Sequence, residues 1–247
     1  IFGHTPAPAS ALAGATGGRA VFRTEELDPD AQIYLFAWKD DLLPRLIPLV
    51  ARHVRTARTA EEKPLFLHTA GSLPLDVFAS HAEDCGILSP LQTFSKDRPV
   101  DFRRIPCFLE ASTPGALEKL RALAATLSGS IYLMDYDRRR YLHVAAVFAC
   151  NFTNHLYALA GQILRPAGIP FEALLPLIDE TATKVHQLSP VRAQTGPACR
   201  YDREVMQAHL RLLDELARSG GLEAQEASAM GSIYQLLSQS IHHLQNQ

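Results

Sequence analysis

Over 247 residues, 47% hydrophobic and 20% charged, the chain has the make-up of a soluble globular protein with room for one large domain or two modest ones. A formal charge of -2 gives no electrostatic reason to expect nucleic acid or an anionic membrane as partner, and no apolar run approaches the roughly 18 residues of a membrane span. Cys85, Cys107, Cys150 and Cys199 lie far apart without a C-x-x-C pair. Zinc-ribbon spacing is therefore absent, no metal site is expected, and free thiols in a reducing cytoplasm are the expectation.

The start, Ile1-Phe-Gly-His-Thr5, lacks Met and the charged-then-apolar pattern of a signal peptide, and reads like the end of a strand already in progress. A short helix over Pro8–Leu12, closed by the glycines of Gly14–Gly18, and a strand at Ala20–Phe22 come next. Gln32–Trp38 is rich in β-branched and aromatic residues and predicts a strand. Asp40 and Asp41 then suit the N-terminus of a helix over Leu42–His53. Pro64–Leu67 is the next strand. It leads into His68-Thr-Ala-Gly-Ser72, where Gly71 and the hydroxyls of Thr69 and Ser72 permit close approach of a ligand; the plainer alternative is a turn with Ser72 capping the next helix.

Further strands fit Gly86–Ser89, Pro106–Glu110 and Ser130–Leu133, with a helix over Pro114–Leu127. Strands alternating with helices argue for α/β layers and a largely parallel sheet. Gln92 and Thr93, in Ser89-Pro-Leu-Gln-Thr-Phe-Ser95, lie just after a strand and either orient a bound molecule or form a polar turn. After Asp137 the strand signal stops. Helices are expected over Arg138–Leu164, Pro170–Leu188, Asp202–Arg218 and Glu223–Leu244, giving domains 1–137 and 138–247.

The first of these helices carries His143-Val-Ala-Ala-Val-Phe-Ala-Cys-Asn-Phe-Thr-Asn-His155. At 3.6 residues per turn, His143, Asn151 and Asn154 fall within roughly 80° of one another and His155 about 40° further round. Polar groups on an apolar helix must find partners or face a cleft, and His has the ordinary pKa for proton transfer near neutrality. Between the second and third helices, Gln194-Thr-Gly-Pro-Ala-Cys-Arg-Tyr-Asp202 combines turn chemistry with Arg200, whose planar fork suits a carboxylate or phosphate or pairs with Asp202.

Taken together, His68–Ser72, Pro90–Ser95, His143–Ala149, Asn151–His155 and Gln194–Ala198 with Arg200 and Asp202 resemble, over nearly the whole chain, a bacterial family of Rossmann-like proteins with a helical C-terminal domain of unknown function. Its members are labelled NAD(P)-dependent oxidoreductases on fold analogy. More distantly the layout is similar to 6-phosphogluconate, 3-hydroxyisobutyrate, ketopantoate and pyrroline-5-carboxylate enzymes. The resemblance implies an α/β Rossmann-like domain followed by an all-α domain with a long first helix. It also implies NADP or NAD as cofactor, a small carbonyl, hydroxy-acid or imine substrate at the cleft between the domains, and a homodimer formed through the helical domain. His4, Thr5, Trp38, His68, Thr69, Gly71 and Ser72 would then serve the cofactor, and Gln92, Thr93, Thr195 and Arg200 the substrate. His143 or His155 would be the proton donor, with Asn151 and Asn154 orienting the substrate.

Two departures stand out. The family's strand with a G-x-G-x-x-G/A turn is not found; Gly14–Gly18 has the wrong spacing. Ile1–Ala15 corresponds to the segment after the family's second strand, so roughly 25–30 upstream residues, one βα unit and part of a strand, are expected beyond the sequence. His4 stands where relatives often carry an Arg for the 2′-phosphate of NADP, leaving NAD and NADP both open. The rival reading is a non-catalytic nucleotide-binding or dimerisation protein on the same scaffold, since fold does not fix function.

Overall fold

The computed structural model describes residues 1–3, 5–96 and 98–246. They divide into two units, Ile1–Val147 and Phe148–Gln247. The strand pattern ends at 137, but the division falls inside the next helix. The opening turns of that helix therefore group with the sheet.

The sheet unit is built on five strands in the order β1 (Ile33–Phe36), β2 (Leu65–His68), β3 (Cys85–Pro90), β4 (Cys107–Ala111) and β5 (Ile131–Leu133). β1, β2 and β3 are parallel, with Phe36 opposite His68 and His68 opposite Ile87. β4 runs antiparallel to β3, and β5 runs parallel to β4. The sheet is thus mixed: the run of helix-linked parallel strands is broken because β3 and β4 are joined by a long loop instead of a crossover helix. An isolated parallel bridge pairs Phe2 with Val21, at the two short strands expected before β1. Between them α1 (Pro6–Thr16) extends further in both directions than the glycines suggest, ending at Gly17 with φ 67°.

Helices cover both sheet faces. α2 (Leu43–Ala57) turns Leu43, Ile47, Val50, Ala51 and Val54 inward, a 3.6-residue stripe that packs with Tyr34, Phe36, Phe66 and Phe78. Its N-cap is Leu42, without a side-chain hydrogen bond, so Asp40 and Asp41 do not cap it. On the opposite face α3 (Pro114–Leu127), capped by Thr113, buries Ala116, Leu120 and Ala124 against Leu65, Leu67, Leu88, Cys107 and Leu109. The fit is close at Gly86, where a Cβ would lie 3.0 Å from both Leu120 and the Glu110 carbonyl. All four residues of β2 are buried, which is why its sequence reads as an uninterrupted apolar run ending in a His.

The long helix expected over Arg138–Leu164 begins earlier, with α4 (Tyr136–Ala146) capped by Asp135, which accepts the Arg138 N–H at 2.8 Å. It passes through a π turn at Val147–Phe152 and resumes as α5 (Thr153–Leu164). A π turn lengthens the hydrogen-bond step to i→i+5, so the uniform 3.6-residue wheel that put His143, Asn151 and Asn154 on one stripe does not describe this helix. The Thr153 hydroxyl donates to the Phe148 carbonyl, 3.1 Å away, satisfying a group inside the turn.

In the helical unit the expected helix over Pro170–Leu188 is shorter: a 3-10 turn at Phe171–Leu174 leads into α6 (Leu175–Lys184). Two single-turn helices, α7 (Pro190–Ala193) and α8 (Pro197–Arg200), precede α9 (Arg203–Arg218) and α10 (Ala224–Gln245). Leu213, Leu222, Ala227 and Met230 form the buried cluster of this unit. Among the described residues, no helix is long and apolar enough to cross a membrane.

Candidate functional site

Because β1, β2 and β3 are parallel, their carboxyl ends share one edge of the sheet, the edge where open α/β sheets bind ligands. β1 leads there to Trp38, β2 to His68-Thr-Ala-Gly-Ser72 and β3 to Gln92 and Thr93. Trp38 is half-buried, with its ring 5.0 Å from that of Phe2. Phe2 therefore lies beside the end of β1. Thr5 is exposed and occupies the N-cap of α1 without a side-chain hydrogen bond; His4 lies outside the described residues.

The loop after β2 is held from several sides. His68 is fully buried and its ring stacks on Phe78, centroids 5.4 Å apart. Its Nδ1 accepts the Ala70 N–H at 3.2 Å, so the proton of the neutral ring sits on Nε2. Nε2 has no well-formed partner; only the Pro74 carbonyl lies towards it. Burial is the main reason its pKa falls to about 4; the Pro74 carbonyl opposes the fall and the Arg139 cation adds to it. His68 is thus a neutral, structural imidazole near neutrality. The Ser72 hydroxyl donates to the Asp40 carboxylate, so Ser72 ties the β2 loop to the β1 loop instead of capping a helix.

His143 meets this loop. A Cβ added at Gly71 would come 3.1 Å from His143 Nδ1: the imidazole packs closely over Gly71, and a side chain there would push the ring back by a few tenths of an ångström. His143 is otherwise exposed. One helical turn earlier, Arg139 is 2% exposed. It donates from Nη1 to Glu110 Oε2 at 2.5 Å and from Nη2 to the Leu73 carbonyl at 2.8 Å. This clamp joins α4, the end of β4 and the β2 loop, and explains why the first turns of α4 group with the sheet. The triplet Arg138-Arg139-Arg140 reads as a solvated charge run, which conceals that its middle member is buried. The signal that could have found it is the i, i+4 spacing from Arg139 to His143.

The Gln92 amide oxygen accepts the N–H of its neighbour Thr93 at 2.8 Å, a local turn that leaves both side chains exposed. In the helical unit, Asn151 lies in the π turn, and Asn154 and His155 lie in the first turn of α5; all three are exposed. Thr195 and Arg200, also exposed, flank a connection shaped by Gly196 at φ 104° and Tyr201 at φ 54°. Asp202 caps α9 by accepting the Val205 N–H at 3.2 Å. The structure thus brings Trp38, Thr69, Gly71, Ser72 and His143 together within the sheet unit, with Gln92 and Thr93 along the same edge.

Gly71 and the hydroxyl of Thr69 leave room for close approach of a ligand at this edge. The described residues contain no Gly-rich turn opening a helix for the pyrophosphate, since Gly14–Gly18 closes α1. Beside β1, a groove of about 590 Å³ runs between Ile1, Phe2 and Val21 on one side and Ile33–Trp38 on the other.

Comparison with known proteins is consistent with this layout. Residues 105–241 match the family model described as "Domain of unknown function (DUF2520)". A solved structure of a "putative NADP oxidoreductase" from Bacteroides fragilis is similar at 43% identity and a TM-score of 0.86, covering 98% of this chain and 87% of that one. A Thermotoga maritima protein is similar at 22% identity and TM-score 0.71, over 98% of this chain and 90% of that one. An imine reductase from Myxococcus stipitatus in complex with NADP+ shares the fold at 19% identity and TM-score 0.63, covering 98% and 86%. A search of curated proteins finds no match. With more than half its length matched and a relative at this identity along nearly all of it, the chain belongs to the DUF2520 family of Rossmann-like proteins with a helical C-terminal domain.

Proposed function

We propose that the protein is an NAD(P)-dependent oxidoreductase that reduces a small carbonyl or imine. The observation that carries the reading is the imidazole of His143 seated on Gly71, at the carboxyl edge of the parallel strands. The relatives described as an NADP oxidoreductase and as an imine reductase with NADP+ support the reaction class. The expectation that the substrate lies between the two domains is carried by the family resemblance alone.

Thr69, Gly71, Ser72 and Trp38 would hold the nicotinamide end, which when bound supplies the hydride. His143 would then donate a proton to the carbonyl oxygen or imine nitrogen, so that hydride at carbon and proton at the heteroatom complete the reduction. Asn151, Asn154 and His155 are proposed to orient the substrate, and Thr195 and Arg200 to bind its polar end. Neutral, buried His68 holds the shape of the β2 loop.

A homodimer through the helical unit belongs to the same proposal. Its support is the set of large apolar side chains left exposed there, among them Phe148, Leu177 and Leu236, a pattern that marks an interaction surface.

The test pairs binding with turnover. Reduced dinucleotide at about 100 times its dissociation constant should raise stability by about 2.7 kcal/mol. His143→Gln should keep that gain while losing reduction of 1-pyrroline or a related cyclic imine, followed by oxidation of the reduced cofactor. Wild-type turnover in His143→Gln would end the assignment of the proton donor. Stabilisation by NADH or NADPH with no turnover by the wild type would favour the non-catalytic nucleotide-binding reading, and no stabilisation by either would remove the dinucleotide from the proposal.

A further inference from the structure

We infer that Arg139 and Glu110 are positioning residues, whose buried ion pair holds the start of α4 so that His143 stays on Gly71. The inference rests on the reading of His143 as proton donor for its consequence in catalysis, but not for its geometry. Residues four apart lie on one helix face, so fixing Arg139 fixes where His143 meets the sheet.

The clamp grips two separate elements. One Nη reaches the Glu110 carboxylate on β4, and the other reaches the Leu73 carbonyl, two residues beyond Gly71 in the same loop. The planar guanidinium can make both bonds at fixed angles, which a lysine ammonium cannot reproduce. Arg139 is too buried, and its Nη atoms too fully engaged, to bind a substrate anion directly. A buried ion pair is weak evidence for stability, since apolar residues of similar volume often serve as well. What such residues could not reproduce is the directed link from helix to loop. Asp135 at the N-cap fixes the same turn axially, leaving the clamp to set its approach to Gly71.

The experiment uses the full chain with three changes: Arg139→Lys, the apolar pair Arg139→Met with Glu110→Leu, and His143→Gln to assign the imidazole resonance. The apolar pair removes both charges together, so it avoids leaving one ion buried alone. The first measurement is the His143 ring cross-peak in a proton–carbon NMR spectrum, compared with that of exposed His186. The second is NADPH-dependent reduction of 1-pyrroline.

In the apolar pair, and also in Arg139→Lys, the His143 resonance should move towards that of His186. The kcat should fall on the order of 10–100-fold, the cost of a misplaced reacting group, while KM for NADPH stays within about twofold. An unmoved His143 resonance in a folded apolar-pair variant overturns the inference. A moved resonance, with His143→Gln turning over like the wild type, supports the clamp and overturns the assignment of His143 as donor.

Discussion

The sheet unit and the helical unit solve the same burial problem to different degrees. Around β2 the apolar residues are enclosed on both sides, by α2 with Tyr34, Phe36 and Phe78 on one face and by α3 on the other. In the helical unit the described residues with buried apolar side chains are Ala198, Leu213, Leu222, Ala227 and Met230, and none in α5 is buried. Phe148, Leu177 and Leu236 are each more than 60% exposed. The central strands bury their apolar residues within this chain, while the sheet's outer strands, at Leu35 and Tyr132, and the amphipathic helices leave apolar surface exposed. The contrast separates residues that hold the fold from residues open to the dimer proposed above.

The sharpest way to break the first half of that comparison is at the clamp. Replacing Glu110 alone with Leu leaves the Arg139 cation buried without its counter-ion, the costly case for an ion pair, at about 3–5 kcal/mol. Urea denaturation should report that loss. A change below about 1 kcal/mol would mean that the guanidinium reaches solvent easily, and that α4 is not fixed to the sheet as described.

A second test lies two strands away, on β2. The folded pKa of His68, about 4, is below its ordinary value of 6.5, so between these values the unfolded chain binds a proton that the folded chain refuses. Stability from this residue is therefore fully present above about pH 6.5 and is lost as the pH falls towards 4. At about 1.36 kcal/mol per unit, roughly 2–3 kcal/mol should disappear by pH 4.5. His68→Asn removes the titration: whatever it costs at pH 7, the difference from wild type should shrink by that amount at pH 4.5. A constant difference across the range would show that the imidazole protonates freely within the fold.

These residues also mark what the sequence could tell. The parallel strands, the helices on both faces and the loop after β2 can be read from apolar runs and turn chemistry, because each depends on neighbours close in the chain. The reversal of β4 could not, since the direction of a strand after a long loop is fixed by packing and not by its own composition. The π turn at Val147–Phe152 escaped for a related reason: one extra residue per turn leaves the composition unchanged while shifting every later side chain. His143 and Gly71 were both visible as candidates, yet their contact spans 72 residues of chain. Arg139 was hidden among three adjacent arginines, where charge masks burial.

The smallest expected change in stability tests the second half of the comparison. Leu236 lies on α10 and is 66% exposed, so Leu236→Glu should alter the free energy of unfolding of the isolated chain by no more than about 0.5 kcal/mol. If the reserved apolar surface is where a second copy binds, the same charge placed in a closed, self-complementary interface acts twice, once from each subunit. Light scattering after size exclusion at micromolar concentration should then give a dimer for the wild type and a monomer for the variant. A monomeric wild type would remove the homodimer and leave the exposed side chains to a different partner. A dimer in both would move the interface away from this part of α10, towards Phe148 or Leu177. The measurement is informative because fold and assembly separate here: at a buried position such as Leu67 a comparable charge would unfold the chain before any effect on association could be read.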